Sequence, residues 1–210
     1  MRKKPSSPRR QRNREATIQS ILDAARAIMR EEGVAALSMQ ELARRMDMRA
    51  PSLYNYFSGK MEIYDTLFRL GFTLYAEHRR EVLKEAKNIY DEIRLSIEAH
   101  MSFALEHPEL YQLCFERHVP EFIPSKASLE LSFGLLHQAY KQVDVLREGL
   151  ETDLSSQQLV DTVSAIMHGL TAQHLANEPD LPIGQGRFGS LIPVVMSILE
   201  TAWPLKGDSK

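Results

Sequence analysis

Residues 38–60 read SMQELARRMDMRAPSLYNYFSGK, and this stretch decides the fold. Ser38 followed by Glu41 is typical of a helix start, because the serine hydroxyl can accept a hydrogen bond from a free backbone N–H while the glutamate bonds back. Asp47 marks a break, and Pro51 then lies where the first turn of a second short helix tolerates proline. Two short helices joined by a turn, with a longer helix before them, predict a helix-turn-helix.

The sequence on both sides of this motif is also helical. From Ile18 to Met29 the apolar residues follow the spacing of an amphipathic helix. Gly33 is the predicted end of that helix, because glycine adopts the left-handed conformation without strain. Further helices are predicted at 60–87, 89–106, 108–117, 126–148, 156–177 and 187–203, the last one bent at Pro193. No segment shows the alternation of a strand, so the sequence predicts an all-α fold.

Charge is divided unevenly along the chain. Residues 1–60 carry 13 Lys and Arg against 6 Asp and Glu, a net charge of +7, whereas residues 61–210 carry 13 against 22, a net charge of -9. A basic segment joined to an acidic one indicates a polyanionic partner for the basic segment. Part of the positive charge lies in residues 1–14, which we expect to be a disordered arm. A merely solvated arm accounts for that part equally well.

Composition and motifs also argue against several classes of protein. Cys114 is the single cysteine, which excludes an internal disulfide framework and fits a reducing cytoplasm. We expect no signal peptide and no membrane span. The histidines lack metal-ligand spacing, and no nucleophile–base pair or phosphate-binding loop appears, so we expect no metal, no cofactor and no enzymatic activity. A helical enzyme, or a small-molecule or metal-binding protein without DNA binding, is the alternative.

The second helix of the motif has the size and the side chains to enter a DNA groove. The major groove is about 12 Å wide and accepts one helix. The outward side chains combine possible base readers with small residues: Arg49, Ala50, Ser52 and Asn55. Arginine can read guanine and asparagine adenine. Donors for phosphates, which orient a protein without reading sequence, follow as Tyr54, Tyr56 and Lys60. Each of these residues also fits a solvated turn or a core, and only their joint occurrence favours DNA.

The runs Ile21–Ala25, Glu41–Ala43 and Pro51–Lys60, with Gly33 and Ser38, carry a resemblance to a known family. Residues 15–64 resemble the DNA-binding domain of the TetR/AcrR family. Within them, Leu53-Tyr54, Tyr56-Phe57 and Lys60 match the family's Leu-Tyr-x-His/Tyr-Phe-x-x-Lys signature.

The resemblance implies a role for each matching residue. Phosphate contacts are implied for Ser38, Tyr54, Tyr56 and Lys60. Positions at base edges are implied for Arg49, Ala50, Pro51 and Ser52, with Arg45 nearby. Two departures matter: the turn glycine of the family is Asp47 here, which tolerates left-handed backbone better than most residues, and the usual Ser or Thr before the second helix is Arg49.

The resemblance also implies the order of domains. A basic disordered arm (1–14) precedes a helix-turn-helix DNA-binding domain (15–62) and a helical ligand-binding and dimerisation domain (63–210). Arg9, Arg10, Arg12 and Arg14 precede the first helix in this interpretation. They can lie on the DNA backbone or enter a minor groove.

Apolar stripes on the last two long helices are the candidate dimer interface. A helix-turn-helix usually acts as a dimer, with its recognition helices about one DNA turn apart. The predicted interface residues are Val163, Met167, Leu170, Leu191, Val195, Ile198 and Leu199. From the residues alone, stripes that only close the core of one protomer are an equal alternative. The resemblance favours a homodimer on a palindromic double-stranded operator.

The middle helices carry residues suited to a pocket for a small apolar or amphipathic ligand. The candidates are Phe103, Tyr111, Cys114, Phe115, Phe133, His137 and Tyr140. Aromatic residues at helical spacing also form ordinary cores, so that alternative stays open. Met167-His168-Gly169-Leu170 is similar to the Trp-His-Gly region of one TetR subclass, with Met in place of Trp.

Together these features predict a ligand-responsive transcriptional regulator, with repression relieved by the ligand. A ligand in the second domain is expected to change the tilt of the helix that begins at Lys60. That tilt would change the spacing of two recognition helices. The ligand must bind the two spacings unequally for the switch to work.

Overall fold

The computed structural model describes residues 8–207, and its regular structure is helical. The helices are α1 (Pro8–Glu32), α2 (Met39–Arg45), α3 (Ala50–Leu53), α4 (Lys60–Val82), α5 (Ile89–Glu106), α6 (Pro108–Phe115), α7 (Lys126–Leu146), α8 (Ser156–Asn177), α9 (Gly186–Gly189) and α10 (Ile192–Ala202). Single 3₁₀ turns lie at Val34–Ala36, Leu83–Glu85 and Arg147–Gly149. Within this part of the chain no strand forms, which confirms the all-α prediction.

Several helix ends lie at the residues that the sequence predicts for them. Gly33 follows α1 at φ 95°, and Asp47 takes the left-handed conformation at φ 48°. The Ser38 hydroxyl accepts from the Glu41 N–H at 3.1 Å, but no return bond forms, because the Glu41 carboxylate accepts from Arg44 and Arg45 instead. The capping box predicted at α2 is therefore half correct. The pair Ser155 and Gln158, which predicts a capping box at α8, forms both bonds.

The start of α1 corrects the predicted arm. The helix begins at Pro8, so the prediction that residues 8–14 are disordered, and that their arginines precede the first helix, is wrong. Proline suits a first helical turn, and the Gln11 amide bonds the Glu15 carboxylate one turn later at 3.1 Å. The rest of the predicted arm, residues 1–7, lies outside the described residues.

The predicted helix over 187–203 is also wrong in form. The structure has a four-residue α9 and then α10 from Ile192, with Pro193 in the first turn of α10. Proline lacks an N–H to donate, so it begins a helix more readily than it bends one. α4 likewise ends at Val82, five residues before the predicted end at Lys87, and continues as a 3₁₀ turn.

The chain forms two compact units. The head unit comprises the described residues up to Leu70 together with Glu109–Ser125, and the body unit comprises Gly71–Pro108 and residues from Lys126 onward. The predicted domain boundary at residue 62 divides the chain at a different point, and the domains remain a functional prediction. The head unit is discontinuous in sequence, since the chain leaves it in α4 and returns at α6.

The head unit is built around apolar residues from α1 to α4. Its most deeply buried side chains include Ile21, Ile28, Leu42, Leu53, Ile63, Tyr64 and Leu67. The Tyr64 hydroxyl donates to the Val34 carbonyl at 2.6 Å, and burial raises the pKa of Tyr64 to about 12. Phe122 packs beside the rings of Tyr64 and Phe68, with centroids 5.6 and 6.1 Å away. The returning segment therefore completes the core.

A buried carboxylate also ties the returning segment to α1. The Glu109 side chain is fully buried, and its oxygens accept from Arg26 at 2.8 Å and from Arg30 at 2.9 Å. A buried charge is costly unless it is paired and hydrogen-bonded. Two guanidinium partners meet that requirement.

The body unit is built on α5, α8 and α10. Its core cluster includes Ile93, Ile97, Met101, Leu159, Leu170, Ile192, Met196, Leu199 and Trp203. An isolated antiparallel bridge joins Leu150 to Leu205, so the chain after α10 is fixed beside the end of α7. Among the described residues, no helix is both long and apolar enough to cross a membrane.

Candidate nucleic-acid interface and dimer face

The recognition segment, which we define as Arg49–Phe57, has one regular helical turn. α3 covers only Ala50–Leu53, and turns continue to Tyr56 through hydrogen bonds from Tyr56 and Phe57 to the Leu53 carbonyl at 2.9 and 3.0 Å. Leu53 is fully buried and Phe57 is nearly so. These two side chains anchor the segment on the head core.

The remaining side chains of the recognition segment point outward or lie half-buried. The exposed ones are Arg49, Pro51, Tyr54 and Asn55, and the half-buried ones are Ala50, Ser52 and Tyr56. The Tyr54 side chain is 56% exposed. An exposed phenol fits its expected phosphate contact better than a buried one. Lys60, at the start of α4, is exposed as well.

Ser38 lies at the other end of the helix-turn-helix. Its oxygen accepts from the Glu41 backbone, and its side chain is half-buried. A serine hydroxyl can accept and donate at once. The predicted phosphate contact is therefore compatible with the capping role.

Arg45 differs from the other predicted DNA contacts, because carboxylates surround it. Its guanidinium bonds Glu31 at 2.6 Å, Glu32 at 2.5 Å and Glu41 at 2.8 Å. These hydrogen bonds raise the pKa of Arg45, and bonds from Arg44 and Arg45 lower the pKa of Glu41 to about 2. Arg45 thus joins α2 to the end of α1, and its predicted place near DNA stays a prediction.

Arg14 contributes a contact that the sequence did not indicate. Its guanidinium donates to the Asn55 carbonyl at 3.0 Å and lies 5.1 Å from the centre of the Tyr56 ring. The residue expected in a disordered arm therefore holds the end of the recognition segment.

The predicted ligand-binding residues are divided between the two units. Tyr111, Cys114 and Phe115 belong to α6 in the head unit, whereas the others belong to the body unit as Phe103, Phe133, His137 and Tyr140. Tyr111 and Phe103 are buried, while Phe133 is 54% exposed and His137 is exposed. The structure does not gather the seven around one cavity within either unit, and their role stays a prediction.

A cavity of about 640 Å³ lies in the body unit. Its lining is Arg94, Glu98, Ile183, Gly184, Ile192, Pro193, Met196, Ser197 and Glu200, none of which was a predicted ligand residue. The sequence offered no signal for it, because its apolar floor belongs to the same stripe as the core. Among residues 8–207, no group of three His, Cys, Asp or Glu side chains is placed to hold a metal ion.

A second buried feature of the body unit involves aromatic and polar rings. His100 is 1% exposed, and its Nδ1 lies 3.4 Å from the Tyr75 hydroxyl. The His168 ring lies 6.4 Å away. Burial, followed by the nearby His168, lowers the pKa of His100 to about 3. Neither Tyr75 nor His100 was singled out from the sequence, since helical spacing gives both the pattern of core residues.

The predicted dimer residues separate into an inner and an outer set. Leu170 and Leu199 lie in the body core, and Val163, Met167 and Val195 pack against it half-buried. Leu191 and Ile198 are 37% and 60% exposed. Val194, missed in the prediction, is 52% exposed on the same helix. The outer face of α10, defined as Leu191, Val194 and Ile198, is therefore an uncovered apolar stripe.

Residues 21–67 match the model of the family described as bacterial regulatory proteins, tetR family. The uncharacterized HTH-type transcriptional regulator YobS of Bacillus subtilis (strain 168) is 35% identical over 97 residues, which are 46% of this chain and 50% of YobS. The match thus spans about half the length of that relative. The family match includes the recognition segment, and it confirms the resemblance read from the signature.

Solved structures share the fold over most of the chain. FadR from Bacillus halodurans, a fatty acid degradation regulator, has a TM-score of 0.69 at 15% identity, covering 93% of this chain and 96% of that protein. FadR from Bacillus subtilis, solved with stearoyl-CoA, has a TM-score of 0.63 at 18% identity, covering 86% and 96%. The family match ends at residue 67, so the Trp-His-Gly subclass stays a prediction. Residues 21–67 thus match the tetR family of bacterial regulatory proteins, and over most of its length the chain is similar to these solved structures in its helical fold.

Proposed function

We propose that this chain is a DNA-binding transcriptional regulator, a repressor that a small-molecule ligand releases from its operator in the cytoplasm. The observation that carries the proposal is the recognition segment. Leu53 and Phe57 fix it to the head core, while the side chains of Arg49, Tyr54 and Asn55 are exposed. An anchored turn that exposes a guanidinium and an amide suits direct reading of bases.

Phosphate contacts are proposed on both sides of the base-reading residues. Tyr54 and Lys60 are exposed, and Ser38 lies at the start of α2. Hydroxyl and ammonium groups bind phosphate oxygens and fix the register of a protein on the duplex. The net charge of +7 over residues 1–60 supports the same partner.

A homodimer on a palindromic operator is the proposed assembly. The outer face of α10 is apolar, and on α8 the small residues Ala165 and Gly169 are exposed. Small residues allow two helices to approach closely, and an exposed apolar stripe gains by being covered. We therefore infer that α8 and α10 pair with their symmetry mates in a four-helix bundle.

A small apolar or amphipathic molecule is the proposed ligand, and the body unit is its proposed binding region. The cavity there has an apolar floor of Ile183, Ile192 and Met196 and charged residues Arg94 and Glu98. Its volume falls within the range of about 300–1,000 Å³ usual for small-molecule sites. The complex of FadR from Bacillus subtilis with stearoyl-CoA supports an amphipathic class.

Helix α4 is the proposed route of regulation, because it begins in the head unit at Lys60 and continues into the body unit past Gly71. A ligand that favours one tilt of α4 would change the distance between the two recognition segments of a dimer. The ligand must bind the two tilts unequally, since equal affinity shifts nothing. A reporter gene behind the bound operator, with and without ligand, distinguishes repression from activation.

The test of DNA binding starts from selection of bound fragments from genomic DNA, followed by fluorescence anisotropy with the selected duplex. Neutralising about eight phosphates predicts a loss of roughly 10³–10⁵ in affinity between 50 and 200 mM salt. The double variant Tyr54→Phe with Lys60→Ala should bind all sequences more weakly and keep its oligomeric state. Lys126→Ala, which removes one positive charge from an exposed site on α7, is the control and should bind like the wild type.

Two results would count against the proposal. Unchanged affinity in the Tyr54 and Lys60 double variant would refute the phosphate assignment. Failure to select any specific fragment at any salt concentration would favour a helical enzyme or a small-molecule carrier instead.

A further inference from the structure

The first two turns of α1 carry a strongly basic surface, and the proposed function assigns no role to its individual arginines. Residues 8–14 hold four arginines and no acidic residue. They are helical, and the side chains of Arg9, Arg10 and Arg12 are exposed. A helix fixes the direction in which each arginine points, whereas a disordered arm would not.

This surface is continuous with the recognition segment through Arg14. The Arg14 guanidinium donates to the Asn55 carbonyl at 3.0 Å and lies over the Tyr56 ring at 5.1 Å. A planar guanidinium is suited to bonding and stacking at the same time. The contact places the start of α1 beside the residues proposed to touch DNA.

Helical geometry then separates the other arginines by face. With about 100° per residue, Arg10 lies within about 40° of Arg14 and one turn before it, about 6 Å along the axis. Arg12 lies about 160° from Arg14, on the opposite side of the helix. Arg10 therefore points to the side of α1 that faces Asn55 and Tyr56. Arg12 points to the opposite side.

We propose that α1 supplies a second phosphate-contacting surface, in which Arg10 binds a backbone phosphate next to those held by the recognition segment. Arg14 is a positioning residue that fixes the end of the recognition segment. The partner is the sugar-phosphate backbone of the same duplex, so the contact adds affinity without sequence preference. This inference rests on the proposed function.

The experiment compares Arg10→Ala with Arg12→Ala, a matched pair that removes the same charge from two faces of one helical turn. Anisotropy titrations use the selected operator and an unrelated duplex at several salt concentrations. Arg10→Ala should weaken binding to both duplexes about equally and reduce the salt slope by about 1. Arg12→Ala should leave the slope and the affinity close to those of the wild type.

Arg14→Lys tests the positioning role separately. Lysine keeps the charge but loses the planar group that bonds the Asn55 carbonyl and lies over the Tyr56 ring. Affinity for the operator should fall while the salt slope stays near that of the wild type. A reduced slope with intact discrimination between operator and unrelated duplex would make Arg14 a plain phosphate contact and overturn its positioning role.

The outcomes separate this inference from the proposed function. If the wild type binds no duplex, the proposed function fails. If the wild type binds DNA but Arg10→Ala and Arg12→Ala behave alike, whether both reduce the salt slope or neither does, the proposed phosphate contact on one face of α1 is wrong. The proposed DNA-binding function is then unaffected. Circular dichroism of each variant confirms that α1 and the head unit remain folded.

Discussion

The head unit and the body unit each bury an ionisable side chain, and they treat it differently. In the head unit the carboxylate of Glu109 accepts hydrogen bonds from Arg26 and Arg30. In the body unit the equally buried imidazole of His100 has its pKa lowered to about 3 and is uncharged at neutral pH. The outer surfaces of the two units also differ in polarity. Exposed cations and hydroxyls surround the recognition segment, while α10 exposes an apolar stripe. The head unit thus keeps a buried charge by pairing it with two arginines, whereas the body unit buries an uncharged ring and exposes an apolar stripe on α10.

The largest expected effect concerns the outer face of α10. Ile198→Glu places a carboxylate on each side of the proposed interface, and burying an unpaired charge costs several kcal/mol. Ile198 is 60% exposed in the protomer, so the fold should remain intact. We expect dimerisation, measured by sedimentation, to weaken more than about 100-fold and operator binding to fall with it.

Gln138→Glu is the control for this prediction, because it adds the same charge to an exposed position on α7. It should leave the dimer unchanged. If the Ile198→Glu variant is fully dimeric, the interface does not include the outer face of α10. The apolar stripe of the body unit would then have no assigned partner.

The next effect concerns the buried charge of the head unit. Glu109→Gln keeps the shape but removes the charge that pairs with Arg26 and Arg30. Breaking a buried pair costs about 3–5 kcal/mol, and the partial exposure of both arginines, 19% and 51%, reduces the expectation to about 2 kcal/mol. Urea unfolding measures the change. Glu106→Gln, at an exposed site near the end of α5, should change stability by less than about 0.5 kcal/mol.

The smallest effect, taken over a single pH unit, is a pH dependence of the stability of the body unit. His100 is neutral when folded and can bind a proton when unfolded, so its contribution to stability is complete above about pH 6.5. It is lost as the pH falls toward 3, because the unfolded state then binds more protons. Below pH 6.5 the free energy of unfolding should fall by up to about 1.4 kcal/mol per pH unit from this group.

The control is His100→Asn, which cannot titrate. Its unfolding free energy, measured at the same pH values, should lack that part of the slope even if the variant is less stable throughout. Parallel pH profiles for the wild type and His100→Asn would show that His100 does not cause the pH dependence of the free energy of unfolding.

Local chemistry made much of the head unit predictable. The Ser38 cap follows from one side-chain hydroxyl, and the break at Asp47 and the end of α1 at Gly33 follow from residues that tolerate a positive φ. The start of α1 and the break before α10 were mispredicted. At α1, composition suggested an arm, although a tertiary contact of Arg14 with Asn55 supports the helix.

The sequence predicted the helices of the body unit but not which of their faces are buried within the protomer. Leu199 lies in the core and Ile198 points outward, yet both belong to one apolar stripe in the sequence. Periodicity marks apolar residues without saying whether the same protomer or a second one covers them. For the same reason Tyr111 and Phe103, proposed to contact a ligand, are fully buried side chains that serve the cores of different units.

The return of the chain to the head unit over Glu109–Ser125 limits how the head unit can be joined to other proteins. A graft cut once within α4 would leave behind Glu109 and Phe122, so Arg26 would lose its carboxylate and Tyr64 its neighbouring ring. A chimera that keeps this head unit intact therefore needs three junctions, one after Leu70 and one at each end of the segment Glu109–Ser125.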